Sequence, residues 1–497
     1  MSILTTPQTV AMTTLDGYLL VIDGEDTPAA SGETFVSVNP ATNEPIAEVA
    51  LAGAADIDRA VAAARLAFDE GPWPRMRASE RGQILLKIAM AIREQKDELA
   101  QLESLDVGKP LREAYRDVET VARYFEFYAG AADKIAGSTI PVGDHLLDVV
   151  VREPIGVSGQ ILPFNYPLQN TGRGAAPAMA VGCTVVLKPS PECTLTPLRI
   201  AQIALDCGVP KGVLNVVAGK DEAGAALSSH PDINQVTFTG SVATGIKVAQ
   251  SAAANVVPTV LELGGKSPAV VFNDLDPERT LTGIMASMYS NAGQTCAAAT
   301  RLLLQRGEAG DAFLADLIDR VRALTVGPGL DNYDVGPLVS AAQRDRVIVL
   351  LDAAIADCAT VHVGGGRPDD ATISEGFFIA PTVLEVGSNR SMIAQTEIFG
   401  PVLTVIRFDE YEEAVVLANE TPYGLSSSVW TKDIDKALGF AKRIRAGQVN
   451  VNTFDVGTGA ELPFGGYKTS GWGREKGLES LNSYLEIKNI CIGIKAT

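Results

Sequence analysis

Apolar residues between positions 157 and 265 fall into short runs that alternate with helical patterns. Five runs read as buried strands: 157–162, 184–187, 213–217, 235–238 and 259–263. After the second run, Leu198, Ala201 and Leu205 share one face of a helix that Thr196 and Pro197 cap. Alternating strands and helices predict a parallel sheet with helical crossovers. Because ligands bind beyond the carboxyl ends of such strands, the residues after each run are the first site candidates.

The rest of the chain has three further patterns. Short runs from 17 to 49 predict small strands and turns, and the segments 80–105 and 111–135 predict long helices. Strand and helix patterns alternate again from 266 to about 464, which predicts a second α/β domain. The stretches 137–151 and 484–494 alternate apolar and polar residues, as strands do, and the second is a plausible edge strand for pairing with another subunit.

One thiol lies between two rigid elements of this second domain. Asp276 and Pro277 are typical of a helix start, and apolar residues then recur at helical spacing from Leu281 to about residue 290. The residues 301–306 predict a short buried strand. Cys296 is therefore expected on a loop held at both ends, a common place for chemistry. The alternative is that Cys296 is an inert, buried small hydrophobe.

Composition and charge exclude several classes of protein. With 497 residues, 46% hydrophobic and 20% charged, the chain is globular and long enough for two to four domains. A net charge of -19 argues against binding to nucleic acid or to an anionic membrane. The apolar stretch from Gly174 to Leu187 is too short to cross a bilayer. No Lys or Arg precedes Arg59, so we expect no signal or transit peptide and a cytoplasmic location.

Cysteine and histidine usage narrows the chemistry. The six cysteines are scattered without a C-x-x-C pair, so neither disulfides nor a structural metal site is expected. None of the three histidines lies beside a candidate nucleophile, which disfavours Ser-His-Asp and Cys-His mechanisms. A general base is therefore expected to be a carboxylate.

The strand ends carry polar and glycine-rich segments. A G-x-G-x-x-G fingerprint is absent, but Gly240 and Ser241 open a predicted helix whose N–H groups suit a phosphate, unless this is an ordinary turn. Lys188 is placed to bond ribose hydroxyls or to be solvated. The segments that carry chemistry are Pro163-Phe164-Asn165, Lys188-Pro189-Ser190, Phe238-Thr239-Gly240-Ser241, Leu261-Glu262-Leu263-Gly264-Gly265-Lys266, Gly293-Gln294-Thr295-Cys296, Glu397-Ile398-Phe399-Gly400-Pro401 and Pro463-Phe464-Gly465-Gly466-Tyr467-Lys468.

Taken in this order, these segments resemble the aldehyde dehydrogenase superfamily over nearly the whole chain. The resemblance implies an α/β fold with a Rossmann-like, parallel-sheet NAD(P)-binding domain formed by 1–136 and 153–265. It further implies an α/β catalytic domain formed by 266–467. A small β oligomerisation element is expected from 137–152 and 480–497, together with a homodimer or homotetramer.

The resemblance also implies catalytic roles. Cys296 would attack the aldehyde to give a thiohemiacetal and, after hydride transfer, a thioester. The Asn165 side chain and the Cys296 N–H would form the oxyanion hole. Glu262 would act as the general base for hydrolysis. Glu475 resembles a buried carboxylate that either relays protons or forms a structural ion pair.

The implied cofactor is NAD. By resemblance, Lys188 would hold the adenosine ribose, Gly240 and Ser241 the pyrophosphate, and Glu397 the nicotinamide ribose, with Phe399 beside the ring. The remaining implied cofactor contacts are Ile161, Leu162, Phe164, Gly219, Thr239, Leu263 and Gly264. Members that prefer NAD often carry a glutamate three residues after the lysine, whereas this chain has Pro191 there and Glu192 next. NADP is therefore not excluded.

Arg173 is the second departure from the family pattern. Members that take plain aliphatic aldehydes often place an aromatic residue there, in the substrate tunnel. A guanidinium in the tunnel wall matches a carboxylate, so one hypothesis is that Arg173 binds an acidic or oxygenated substrate. The alternative is that Arg173 pairs with a structural partner.

Two rival functions also stay open. One is a CoA-acylating dehydrogenase, which the presence of Glu262 disfavours, and the other is a catalytically silent binding relative.

Overall fold

A computed structural model describes residues 16–454 and 459–495 of the chain. The predicted domain ranges begin at residue 1 and end at residue 497, so their outermost residues lie outside the described part. Four sheets are present in the described part: one of eight strands, one of seven and two of three. No helix among the described residues is both long enough and apolar enough to span a bilayer.

The eight-stranded sheet contains the five strands predicted between 157 and 263. These five pair in parallel, and their residues are almost fully buried, which explains the continuous apolar runs. Their carboxyl ends therefore lie along one edge of the sheet. The strand order is Gly471–Trp472, Thr259–Leu263, Gln235–Gly240, Val157–Ile161, Thr184–Lys188, Leu214–Val216, Leu20–Ile22 and Glu25–Thr27.

Eight helices accompany this sheet in the described part of the chain. They are Ala54–Asp69, Ala78–Glu94, Lys96–Val107, Leu111–Ala131, Pro167–Val181, Leu195–Asp206, Asp221–Ser228 and Val242–Ala253. The single helix predicted for 80–105 is wrong, because the chain leaves the helical conformation at Gln95 (φ −101°, ψ 21°). The Gln95 side chain accepts a hydrogen bond from Arg199. Both halves keep a buried apolar face, so the hydrophobic spacing continues across the break and conceals it.

The seven-stranded sheet forms the second α/β region. Six of its strands run parallel, and only the edge strand Thr360–Val363 is antiparallel. The order is Thr360–Val363, Thr382–Glu385, Val402–Phe408, Arg301–Gln305, Pro268–Val271, Ser426–Trp430 and Gln448–Val451. The accompanying helices are Pro277–Tyr289, Glu308–Arg322, Ala341–Ala356, Met392–Gln395, Tyr411–Asn419 and Ile434–Arg443. The strand and helix alternation predicted from 266 onward is confirmed.

Two small sheets complete the structure. One orders Asp16–Tyr18, Pro45–Ala50 and Thr34–Val38. The other orders Leu485–Gly493, Leu146–Pro154 and Ser138–Ile140, so the two distant stretches that alternate in the sequence pair with each other. Leu485–Gly493 is an edge strand whose side chains are mostly exposed, including Ile487 at 69%.

Replacing Gly283 with Ala is expected to destabilise the fold. A Cβ there would lie 2.1 Å from Cη2 of the buried Trp430, and overpacking costs about 1–3 kcal/mol. Gly130→Ala is the matched control, because its Cβ meets nothing within 4 Å and replacing a helical glycine gains up to about 1 kcal/mol. Thermal unfolding midpoints should therefore move in opposite directions. If Gly283→Ala is as stable as Gly130→Ala, the packing of the helix Pro277–Tyr289 on Trp430 is refuted.

Candidate active site

Cys296 lies between a capped helix and a buried strand, as the sequence predicts. The Asp276 carboxylate accepts a hydrogen bond from the Arg279 N–H at 3.2 Å, which caps the helix Pro277–Tyr289. The strand Arg301–Gln305 begins five residues after the cysteine, and its first four residues are buried. Both ends of the loop are therefore anchored in the second sheet and its helices.

The turn before Cys296 has an unusual backbone. Asn291, Ala292 and Gly293 all lie in the left-handed region, with φ values of 48°, 53° and 71°. A Cβ at Gly293 would be 2.3 Å from the Gly400 carbonyl oxygen, so a larger residue does not fit. Left-handed backbone at a non-glycine residue costs about 1–2 kcal/mol, and surrounding contacts must hold it.

Three hydrogen bonds fix the residues next to the thiol. The Asn165 side-chain amide donates to the Gln294 carbonyl oxygen at 2.9 Å. The Gln294 side chain accepts from the Val339 N–H at 3.0 Å. The hydroxyl groups of Tyr166 and Thr295 lie 2.7 Å apart. The thiol is thus positioned by contacts to residues 294 and 295.

A cavity of about 230 Å³ lies at the carboxyl edge of the first sheet and reaches the thiol. Its wall combines residues from both large α/β regions. They are Pro163, Phe164, Asn165, Tyr166, Asn170, Arg173, Thr239, Gly240, Ser241, Glu262, Gly264, Cys296, Gln343, Arg346, Glu397 and Phe399.

Glu262 is a buried carboxylate in the cavity wall, only 2% exposed. Neither of its oxygens has a hydrogen-bond partner in the described structure. Burial, and secondarily the Glu475 carboxylate, raise its pKa well above the usual range, although Arg173 opposes this shift. An unpartnered carboxylate of raised pKa can take a proton from a reactant, as a general base must.

Arg173 also lines the cavity, but its charge is already paired. Its guanidinium forms an ion pair with the buried Glu475 and lies 5.1 Å from the centre of the Phe464 ring. The hypothesis drawn from the sequence requires Arg173 to be free for a substrate carboxylate. In this arrangement Arg173 is not free, because Glu475 is already its partner. The structural-partner alternative for Arg173 and the ion-pair alternative for Glu475 describe the observed contact.

Cys296 is half-buried, and its protonation state follows from that position. Burial raises the pKa of the thiol to about 12, against an opposing effect of Arg173. The thiol is therefore neutral near pH 7 in this structure, and a nucleophilic thiolate requires a base or a further positive charge.

Glu397 and two aromatic rings form a further part of the cavity wall. The Glu397 carboxylate accepts a hydrogen bond from the Gly265 N–H at 3.0 Å, and burial raises its pKa to about 7. A Cβ at Gly264 would lie 2.0 Å from a Glu397 oxygen, so only a glycine allows the carboxylate to pack at this position. The rings of Phe164 and Phe399 meet edge to face, with centroids 5.5 Å apart.

The end of the strand Thr184–Lys188 is more buried than a solvated lysine would be. Lys188 is 6% exposed, and burial lowers its pKa to about 8 although Glu192 and Asp221 oppose the shift. Its carbonyl accepts a hydrogen bond from the Leu162 N–H at 2.9 Å. Most of the Lys188 side chain is therefore buried, and its contact with ribose hydroxyls stays a prediction.

The helix Val242–Ala253 begins at the cavity. Ser241 is its N-cap, and the Ser241 hydroxyl accepts a hydrogen bond from the Thr244 N–H at 3.2 Å. Thr239, Gly240 and Ser241 all line the cavity wall. A helix N-terminus that opens on a cavity suits an anionic group such as a phosphate.

Comparison with known proteins assigns the family of the chain. The sequence profile of the aldehyde dehydrogenase family matches residues 27–490. The chain belongs to the aldehyde dehydrogenase family. It is therefore an enzyme of the oxidoreductase class that acts on aldehydes, which confirms the resemblance read from the motifs.

Individual aldehyde dehydrogenases match over nearly their whole length. Betaine aldehyde dehydrogenase of Bacillus subtilis is 42% identical over 475 residues, 95% of this chain and 96% of that protein. Aminoacetaldehyde dehydrogenase of Pseudomonas aeruginosa is 43% identical over 477 residues, 95% of each chain. A crystal structure of betaine aldehyde dehydrogenase from Staphylococcus aureus in complex with NAD+ has a TM-score of 0.94 and 39% identity, covering 96% of this chain and 95% of that one. The α/β aldehyde dehydrogenase fold is confirmed.

The cavity unites most of the site residues expected from the sequence. All three catalytic candidates and Arg173 line it, as do Phe164, Thr239, Gly240, Ser241, Gly264, Glu397 and Phe399. Five cofactor candidates lie outside its wall: Ile161, Leu162, Lys188, Gly219 and Leu263. Of these, Leu263 is buried against Gly245, where a Cβ would come within 2.5 Å of its side chain. Gly219 forms an isolated β-bridge with Ala52. It follows the strand Leu214–Val216, which is next to the strand of Lys188 in the sheet.

Sequence reasoning missed two polar residues of this aldehyde dehydrogenase site. Gln343 and Arg346 belong to the helix Ala341–Ala356 and line the cavity beside Glu397. Gln343 donates to the Phe399 carbonyl at 2.8 Å, and Arg346 donates to the Glu397 carbonyl at 2.6 Å. Only their spacing of three residues, which puts both on one helix face, offered a signal. It is too common to single out a site.

The raised pKa of Cys296 predicts how a thiol reagent reacts. Because only the thiolate is alkylated, the rate of iodoacetamide labelling at Cys296 in the ligand-free enzyme should rise about tenfold per pH unit from about pH 7 to about pH 9. Peptide mass spectrometry measures the rate, with the exposed Cys358 in the same digest as the reference for the reagent. A rate that levels off below about pH 8 would mean that the thiolate is already formed and would refute the prediction.

Proposed function

We propose that this aldehyde dehydrogenase oxidises its substrate to the carboxylic acid with NAD as the hydride acceptor and water as the acyl acceptor. One observation carries the proposal: Cys296, Asn165 and Glu262 line the same cavity as Glu397 and the N-terminus of the helix Val242–Ala253. The nucleophile, the oxyanion donor, the base and a site suited to a dinucleotide therefore share one cavity.

The first half of the reaction uses Cys296 and Asn165. The Cys296 sulfur gives its proton to the Glu262 carboxylate, which passes it to solvent. The sulfur then attacks the aldehyde carbon, so that a C–S bond forms and the carbonyl electrons move to oxygen. The Asn165 amide donates one N–H to Gln294. Its second N–H and the Cys296 backbone N–H serve as donors to the developing oxyanion. Bound NAD would supply the acceptor for the hydride of the same carbon, and Cys296 would then hold the substrate as a thioester.

The second half uses Glu262. The carboxylate takes a proton from a water molecule while the water oxygen attacks the thioester carbon, the C–S bond breaks, and the sulfur electrons return to Cys296. Burial makes Glu262 a stronger base than an exposed carboxylate. The ion pair of Arg173 and Glu475 lies close enough to act on Glu262, and within it the positive charge of Arg173 offsets the negative charge of Glu475. We therefore assign Arg173 to the support of this carboxylate rather than to a substrate carboxylate.

The residues of the cavity fit a dinucleotide. The Glu397 carboxylate, which packs against Gly264 in the cavity wall, suits a ribose, and the N–H groups after Gly240 and Ser241 suit a pyrophosphate. Lys188, Ile161, Leu162, Gly219 and Leu263 would extend the same site toward the adenosine end, and Phe399 with Phe164 would bound the nicotinamide end. The relative from Staphylococcus aureus was crystallised with NAD+.

The domain ranges, the assembly and the location are part of the proposal. We keep the cofactor domain at 1–136 and 153–265, the catalytic domain at 266–467, and the oligomerisation element at 137–152 and 480–497. The exposed edge strand Leu485–Gly493 is suited to pairing with another subunit, which supports a homodimer or homotetramer. All six cysteines are free, as suits the reducing cytoplasm.

Replacing Glu262 with Gln tests the hydrolytic step. Without a base the thioester persists, so steady-state kcat should fall by about 10²–10⁴-fold, while one equivalent of NADH per active site still forms in a rapid burst. Stopped-flow NADH absorbance separates the two phases. Glu461→Gln, an exposed carboxylate paired with Arg123, is the control and should retain wild-type kcat.

The same assay with added CoA discriminates the rival activity. The hydrolytic proposal expects NADH and free acid at equal rates with and without CoA. A strict need for CoA would identify a CoA-acylating enzyme instead. Absence of both the burst and turnover with every aldehyde tried would favour a catalytically silent relative.

Glu192 is expected to take over the discrimination against NADP that Pro191 leaves open. The negative charge of Glu192 acts on Lys188 by raising the pKa of its ammonium, against the effect of burial. The Glu192 carboxylate also accepts a hydrogen bond from the Ser190 hydroxyl. Glu192→Gln should lower the KM for NADP by about 3–10-fold, as loss of one like-charge repulsion near the surface allows, with NAD changed less than about twofold. Glu94→Gln, at a distant exposed site, is the control. Equal changes for both cofactors would refute this assignment.

A further inference from the structure

Lys109 is a fully buried cation outside the cavity, only 1% exposed. Its ammonium forms an ion pair with Glu103 at 3.1 Å and a shorter one with Asp117. Both carboxylates have further partners: Thr196 donates to Glu103 at 2.8 Å, and Gln169 donates to Asp117 at 2.6 Å. Buried ion pairs are often no better for stability than packed apolar residues, so stability alone is a weak reason for this group of charges.

The third contact of the ammonium leads to the active site. The Lys109 nitrogen donates to the backbone carbonyl oxygen of Asn165 at 3.0 Å and lies 4.2 Å from the centre of the Tyr166 ring. The same carbonyl oxygen accepts a second hydrogen bond, at 2.8 Å, from the Asn291 side chain. Two donors on one carbonyl fix the peptide plane that follows Asn165, and hence the direction of its side chain.

The helix that carries Asp117 also holds the nucleophile turn. Glu113 lies one turn before Asp117 in the helix Leu111–Ala131 and accepts a hydrogen bond from the Asn291 N–H at 2.8 Å. Asn291 begins the left-handed turn that precedes Cys296. The charge cluster of Glu103, Lys109, Glu113 and Asp117 therefore contacts the backbone at Asn165 and at the turn before Cys296. None of its members lines the cavity.

We propose that Lys109, held by Glu103 and Asp117, is a positioning residue that orients Asn165 as the oxyanion donor toward Cys296. The inference rests on the proposed role of Asn165. A charged donor in a dry interior makes a strong, directional hydrogen bond. A displacement of a catalytic group by about 1 Å can lower the rate by about 10²-fold, so a fixed Asn165 carbonyl has a direct kinetic consequence.

A double-mutant cycle tests this coupling. Asn165→Ala should lower kcat by about 10²–10³-fold, and Lys109→Met by about 10–10²-fold with the aldehyde KM and the NADH Kd changed less than about threefold. In the Asn165→Ala background, Lys109→Met should add less than about a threefold loss, because the group that it positions is already absent. Multiplicative losses would overturn the inference. Wild-type kcat in Asn165→Ala would remove the proposed role of Asn165, and the inference with it.

A second variant covers the case in which Lys109→Met does not fold, since it leaves two buried carboxylates without a cation. The triple variant Glu103→Gln, Lys109→Met, Asp117→Asn removes all three charges and should fold, with the same loss of kcat. A folded triple variant with wild-type kcat would overturn the inference.

Thr196→Val is the matched control. It deletes one hydrogen bond to Glu103 in the same cluster but leaves the contact between Lys109 and Asn165 intact, so its kcat should stay within about twofold of wild type. Circular dichroism and thermal unfolding verify the fold of each variant. A loss in Thr196→Val equal to that in Lys109→Met would indicate general disruption of the cluster and would overturn the inference.

Discussion

The hydrogen bond from the Asn165 side chain to the Gln294 carbonyl connects the two large sheets at the nucleophile. Asn165 follows the strand Val157–Ile161 of the first sheet, whereas Gln294 precedes the strand Arg301–Gln305 of the second. Asn291 returns a hydrogen bond to the Asn165 carbonyl. The oxyanion donor and the thiol loop are thus fixed relative to each other by reciprocal bonds, although 129 residues separate Asn165 from Gln294.

Backbone strain accompanies this arrangement. Two non-glycine residues in the left-handed region, Asn291 and Ala292, precede the cysteine, and Phe399 in the cavity wall has a φ of 60°. Such conformations persist only where neighbouring contacts over-determine them. At Asn291 those contacts come from Glu113 and Asn165. The turn allows the chain to end a helix and present a thiol within a few residues.

The charges of the site are arranged so that few are free before substrate arrives. Burial favours the neutral thiol of Cys296 and raises the pKa of Glu262. Arg173, a cation in the wall beside them, is paired with Glu475. In a low-dielectric cavity, hydrogen-bond donors that are already oriented stabilise a new negative charge more than water does, which suits a reaction that passes through an oxyanion.

The sequence by itself determined the strand and helix alternation, the helix that ends before Cys296, and the identity of the motifs at the strand ends. These follow from local periodicity and capping, which act over a few residues. The sequence did not reveal the break at Gln95, because the two helices bury the same face and the apolar spacing continues from one to the other. Which charges are paired, above all Arg173 with Glu475, was decided only by the tertiary structure. Those partners are 302 residues apart, and no local pattern encodes a contact between residues so distant in the chain.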